Sequence, residues 1–178
     1  MTKFVALFRG INVGKAKRIA MADLRALLGT LGYTEVSTLL NSGNAVFGSA
    51  SGTTAAHAKR IRAAVHAQLG VDALVIVKSA KEVGAIVAGN ALTTVSTDSS
   101  RLLVAMVDSA AALAAVQTMA AQDWGDEAIH VGKDAAYLWC ANGILESKAA
   151  VALLKGLSHS GTTRNWATME KLHALLQG

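Results

Sequence analysis

Arg9, Asn12 and Lys15 fall within one seven-residue stretch, spaced by Gly10, Ile11, Val13 and Gly14. A guanidinium, an amide and an ammonium beside glycines that leave the backbone open suit an anion, and a phosphate above all. Asn41-Ser42-Gly43-Asn44 adds a hydroxyl and two amides. The same four residues also make a hairpin turn, so turn chemistry and ligand contact are both open to them. Further on, Ser147 and Lys148 stand at the start of a helical pattern, where unpaired N–H groups favour negative charge. Arg164, Asn165 and Trp166 offer a second guanidinium, an amide and an indole. That indole either stacks on a ligand or packs against a helix.

Several better-known chemistries are excluded by spacing. Gly10-Ile-Asn-Val-Gly14-Lys15-Ala16 mimics a phosphate-binding P-loop, but it is one residue short, and Ala16 stands where magnesium needs a hydroxyl. No G-x-G-x-x-G follows a strand pattern, and Ser42 lacks the G-x-S-x-G elbow of a serine nucleophile. The five histidines (57, 66, 130, 159 and 173) show no ligand spacing, and one cysteine argues against structural zinc. No metal and no cofactor are therefore expected. Asp126 and Glu127 are neighbours and point to opposite faces if extended, so no carboxylate dyad is indicated. Apart from Glu146, no carboxylate or histidine lies in the candidate stretches to serve as a base.

These residues need elements to hold them. Phe4–Phe8 is an apolar run that delivers Arg9 to the end of a buried strand. Leu24, Leu27, Leu28 and Leu31 recur at helical spacing within 20–31, closed by Gly32. Strands follow at 36–40 and 45–47 around the Asn41–Asn44 turn, then a helix at 53–69 with Ile61, Val65 and Leu69 inward and Lys59, Arg60 and Arg62 outward. A strand at 72–77 completes the order β-α-β-β-α-β, the split βαβ unit.

A connecting helix at 79–88 and a polar linker at 93–100 come next, and the pattern then begins again. Strands are read at 102–107, 128–131 and 136–140, helices at 110–122 and 147–157, a last short strand at 161–164 and a closing helix at 168–176. The expected fold is α+β, with two tandem ferredoxin-like (βαββαβ) subdomains packed together, plus a C-terminal helix. The boundaries are 1–78 for the first subdomain, 79–100 for the connection and 101–178 for the second.

In such a unit strands one and two run parallel, with strand three antiparallel between them. The end of strand one and the Asn41–Asn44 turn then share one end of the first sheet. By the same logic, 142–148 and 164–166 share one end of the second. Phe4–Phe8, Leu74–Val77 and Leu102–Val107 are apolar on both faces, so the face away from the helices must meet the sibling sheet or a second copy of the chain.

Half the chain, 52%, is hydrophobic and the mean hydropathy is +0.38, enough for a core. No run approaches the roughly 20 apolar residues of a membrane span. The opening apolar run is short and cut by Arg9, which does not fit a signal peptide. A single cysteine forms no intrachain disulfide, and Cys140, within a strand pattern, reads as a buried small hydrophobe rather than a reactive thiol. A cytoplasmic protein is expected. The net charge of +5 is uneven: residues 1–89 hold 11 Lys and Arg against 4 Asp and Glu, and residues 90–178 hold 6 against 8. The basic half can attract phosphates or nucleic acid, or can simply be a set of solvated helix faces. With no proline, the turns rely on Gly, Asn and Ser.

Several of these stretches together resemble an uncharacterised bacterial family, domain-of-unknown-function family 1697. The resemblance rests on Arg9–Gly14, on Met21 with Asp23-Leu24-Arg25, and on Ser42-Gly43-Asn44 with Val46-Phe47. It continues through Leu138-Trp139, Ser147-Lys148 and Thr163-Arg164-Asn165-Trp166 into Lys171-Leu172. It implies tandem α+β units and no established reaction. Lys15 departs from the usual second glycine and adds charge to the loop, and Ala167 departs from a frequent asparagine.

The expected function is binding of a phosphate-bearing ligand, a nucleotide or nucleic acid, in a cleft between the subdomains. Arg9 and Arg164 would supply cations, with Asn12, Ser42, Asn44 and Asn165 orienting the ligand. Arg164 could instead be tied to the closing helix or to Glu170. The alternative function is a non-catalytic interaction or assembly module, as a monomer or homodimer, and a general acid–base enzyme is a third reading.

Overall fold

The computed structural model describes residues 1–178. It is an α+β architecture of two four-stranded antiparallel sheets and six helices, consistent with two ferredoxin-like subdomains. The chain divides into two compact units, Met1–Val83 with Ala174–Gly178, and Gly84–His173. The residues at 93–100, read as a linker, lie inside the second unit and form hydrogen-bonded turns, with Val95 and Ser96 N–H both donating to the Leu92 carbonyl. No helix is long and apolar enough to cross a membrane.

In the first unit the order is β1 (Thr2–Phe8), α1 (Met21–Thr30), β2 (Thr34–Leu39), β3 (Asn44–Ser49), α2 (Thr54–Leu69) and β4 (Val75–Ser79). The sheet order is β2-β3-β1-β4, with β3 antiparallel to both β1 and β2. Leu7 and Leu39 each pair with Asn44, so the end of β1 and the β2–β3 turn do share one end of the sheet.

Alternation sorts β1 into two faces. Phe4, Ala6 and Phe8 join Phe47, Val75 and Val77 beneath Leu24, Leu27 and Leu28 of α1 and Ile61 and Val65 of α2. Val5 and Leu7, on the opposite face, are buried as well. Side chains of this size contribute about 1.5–3 kcal/mol each on leaving water, so this core is what seats α2 on the sheet. Thr53 caps α2, its hydroxyl accepting the Ala56 N–H at 3.1 Å, and Gly70 ends it in the left-handed conformation.

β4 begins three residues later than the 72–77 run suggests. Its ladder with β1 starts at Phe8–Val75, preceded by the Arg9 N–H bond to the Leu74 carbonyl. Asp72 has no ladder partner and instead accepts from Arg62 of α2.

The polar member of this core is His57. Its Nδ1 lies 2.9 Å from the Tyr33 hydroxyl, and its ring sits 4.7 Å from that of Phe4 and 5.6 Å from that of Phe47. Arg60 stands 5.5 Å above the Tyr33 ring. Burial, helped by the Arg60 charge, holds the imidazole below its ordinary value of 6.5. The folded state therefore refuses a proton that the unfolded chain accepts as the pH falls through 6.5. This contribution is complete above that pH and is lost progressively below it. Thermal melts from pH 7.5 to 5 should show wild type losing stability more steeply than His57→Gln; parallel curves would show that His57 is not the cause.

The second unit carries α3 (Ala80–Ala88) over its boundary, followed by β5 (Leu102–Val107), α4 (Ala110–Ala120), β6 (Ala128–Val131), β7 (Ala135–Trp139), α5 (Lys148–Leu157), β8 (Gly161–Asn165) and α6 (Trp166–Gln177). A 3-10 turn, Ile144–Glu146, precedes α5. Its sheet order, β6-β7-β5-β8, places each strand as its counterpart four strands earlier is placed. Leu103, Ala105, Val107, Leu138 and Cys140 face Leu113, Val116 and Met119 of α4 and Leu153 and Leu157 of α5. Tyr137, on the other face, donates its hydroxyl to the Ile86 carbonyl of α3. α6 starts two residues earlier than the sequence pattern suggests, because Asn165 caps it by accepting the Thr168 N–H at 2.9 Å.

Candidate functional site

The loop after β1 is built around Asn12. At a positive φ of 56°, its amide donates to the carbonyls of Ile19 (2.9 Å) and Asn41 (2.8 Å) and accepts from the Ile19 N–H (2.8 Å). A further bond joins the Asn12 N–H to the Lys17 carbonyl at 3.0 Å. One side chain thus closes residues 12–19 into a ring and ties it to the β2–β3 turn. Ile11 and Ile19 anchor the ring in the core, while Lys15, Lys17 and Arg18 stand exposed between them. Gly10 and Gly14, both exposed and at positive φ, let the chain turn. Arg9 is half-buried at the end of β1.

The β2–β3 turn also uses its polar groups internally. Asn44 is fully buried, and its amide donates to the Leu39 carbonyl at 2.8 Å and to the Ser42 hydroxyl at 3.1 Å. The Gly43 carbonyl accepts the Phe8 N–H at 2.9 Å, joining the turn to the end of β1. Arg9, Asn12, Lys15, Ser42 and Asn44 are therefore brought to one end of the sheet, with Asn12, Ser42 and Asn44 bonded into the scaffold.

In the second unit Ser147 is buried and caps α5, accepting the Ala150 N–H at 2.9 Å. Glu127 accepts the neighbouring Ala149 N–H at 3.3 Å, so the start of α5 already faces a carboxylate. Lys148 lines a depression of about 340 Å³ with Asp123, Trp124, Asp126, Glu127, Asn142 and Glu146. Four carboxylates against one ammonium give it an electrostatic preference for cations. Arg164 is buried and donates to the Thr162 hydroxyl (3.1 Å) and the Thr163 carbonyl (2.7 Å) of its own strand. Burial pulls its guanidinium down to about 10. Asn165 is the cap of α6, and Trp166 is buried at that helix's first turn.

A second basic surface of the first unit was visible in the sequence only as an outward helix face. Lys59, Arg62, Ala63 and His66 lie at i, i+3, i+4 and i+7, one stripe of α2. With Ala58, Asp72, Leu74 and Val75 they line a depression of about 400 Å³ between α2 and the edge strand β4. Arg62 grips Asp72 through two bonds of 2.8 and 3.1 Å, a bidentate fork. That hydrogen bonding, with the charges of Arg62, His66 and Lys17, holds the Asp72 carboxyl below the usual carboxylate range. A third depression, of about 310 Å³, lies under the loop against Asn12, Arg18, Ile19, Ala20, Met21 and Asn41. No group of histidines, cysteines and carboxylates is placed to hold a metal ion.

Among solved structures, the conserved bacterial protein SP0830 from Streptococcus pneumoniae shares the fold, with a TM-score of 0.81 and 24% identity over 98% of both chains. No curated protein matches the chain. The model of a family described as a protein of unknown function, DUF1697, matches residues 1–137. The chain belongs to that family.

Proposed function

We propose that the first unit binds a phosphate-bearing ligand, a nucleotide or a nucleic acid, on the cationic face made by the 9–18 loop and the outer stripe of α2. One observation carries this reading. Lys59 and Arg62 of α2 stand together along one depression, and the loop of the same unit exposes three further cations, Lys15, Lys17 and Arg18, so two separate segments of the unit carry unburied positive charge. Asp72 offsets only part of that charge, leaving an excess that a phosphate dianion can complement. The Asn12 ring fixes the loop in shape, so little conformational freedom is lost on binding.

Calorimetry with inorganic pyrophosphate at low salt tests this. Wild type should bind, and added salt should weaken the binding by screening. The double charge reversal Lys17→Glu with Arg18→Glu should weaken it at least tenfold, a loss of about 1.4 kcal/mol or more. Both side chains are exposed, so the fold should survive the change. If neither pyrophosphate nor short oligonucleotides bound at low salt, the proposal would be wrong.

A further inference from the structure

We infer that the α2–β4 depression seats the nucleobase and ribose of that phosphate-bearing ligand, which makes the ligand a nucleoside monophosphate. This rests on the phosphate reading above and adds the identity of the organic part. Two features of the depression point to it. Half of its lining is apolar, from Ala58, Ala63, Leu74 and Val75, whereas a site for inorganic phosphate alone would have no use for such a surface. Its charged groups lie together beside that surface: Lys59, Arg62 and His66 from α2, with Asp72 held by the Arg62 fork.

Asp72 then has a specific task. Its two oxygens each take one guanidinium bond, leaving lone pairs free to accept hydroxyl donors. A ribose supplies two adjacent hydroxyls, and an acidic side chain is the group that recognises them in other nucleotide sites. The base lies over Ala63 and Leu74, an exposed small residue and a half-buried apolar one in the lining. The phosphate goes to Lys59 and His66, which line the same depression. A volume of about 400 Å³ is of the size that small-ligand sites occupy.

The two other depressions described above do not compete. The one around Lys148 is lined by four carboxylates and repels a phosphate. The one beneath the loop, lined by Asn12, Arg18, Ile19, Ala20, Met21 and Asn41, offers one cation, and the Asn12 amide in it is engaged in closing the ring.

The test compares three probes by calorimetry at one salt concentration: inorganic phosphate, adenosine 5′-monophosphate, and a 5′-phosphorylated tetranucleotide. Each is measured on wild type, Ala63→Leu and Lys59→Ala. Ala63 is exposed on a helix, so leucine fills the depression without disturbing the core. Wild type should bind adenosine monophosphate about tenfold tighter than phosphate, and Ala63→Leu should erase that advantage while leaving phosphate binding intact. Lys59→Ala should weaken all three probes. Tighter binding of the mononucleotide than of the tetranucleotide is expected, and the reverse would overturn the assignment to a nucleoside monophosphate in favour of a strand end. Equal affinity for phosphate and adenosine monophosphate, or an Ala63→Leu variant that keeps the nucleotide preference, would overturn this inference and leave the phosphate reading standing. Binding of none of the three would overturn both.

Discussion

Phe47→Ala is expected to lower stability by about 4 kcal/mol, the middle of the range for a large aromatic removed from a core. Phe47 is fully buried on β3, with its ring 4.3 Å from Tyr33, 5.6 Å from Phe4 and 5.6 Å from His57. Those partners come from β1, from the segment entering β2 and from α2, so one side chain joins three parts of the first unit. Truncation leaves a cavity that the strand cannot collapse to fill, because β3 is paired on both sides. It also loosens the seat of α2, and with it the Lys59–Arg62–His66 stripe. Urea denaturation should show the midpoint falling sharply. A change below about 1.5 kcal/mol, the level of a tolerated swap, would mean that α2 is held mainly by Ile61 and Val65.

Gly43→Ala is expected to cost about 3 kcal/mol, from steric overlap and from an unfavourable φ together. Gly43 has φ +87°, and a Cβ there would lie 2.6 Å from Ile11 Cδ1 and 2.8 Å from Phe8 Cβ. Ile11 could change rotamer, but the Phe8 Cβ belongs to a paired strand and cannot move away. The turn would have to lift, straining the Phe8–Gly43 hydrogen bond and the Asn12–Asn41 tie. Equilibrium unfolding reads the loss. Wild-type stability in Gly43→Ala would show that the loop is not pinned by this turn.

Much of the architecture is legible in the residues. The apolar run Leu102–Val107 and the mostly apolar Ala128–Val131 are bounded by polar or turn residues and coincide with β5 and β6. Ser147 stands where an N-cap belongs and serves as one. Less legible are boundaries set by partners distant in sequence. β4 starts where β1 offers a partner at Phe8, which no local pattern around residue 72 can reveal. α6 starts where Asn165 caps it, although Trp166 alone suggests no helix start.

The candidate site divides in the same way. Shared topology brings Arg9, Asn12 and Asn44 to one sheet end, and that follows from strand order. Whether an amide faces a ligand or the backbone depends on carbonyls many residues away, such as Asn41 for Asn12, and spacing carries no trace of it. The α2–β4 depression is hidden in the sequence for a related reason. Its basic stripe looks like an ordinary solvated helix face until Asp72 and Leu74, from beyond the helix, are set beside it. The i, i+3, i+7 spacing of Lys59, Arg62 and His66 is the one trace of it in the sequence.

The central claim, that the cationic face of the first unit holds a nucleoside phosphate, is tested most directly by amide chemical-shift mapping of the isotope-labelled protein with adenosine 5′-monophosphate. The account predicts shifts concentrated at Lys17 and Arg18, at Lys59, Arg62, Ala63 and His66, and at Asp72 to Val75. Shifts confined instead to Ser147–Ala150 and Arg164–Trp166, with the first unit unchanged, would contradict it.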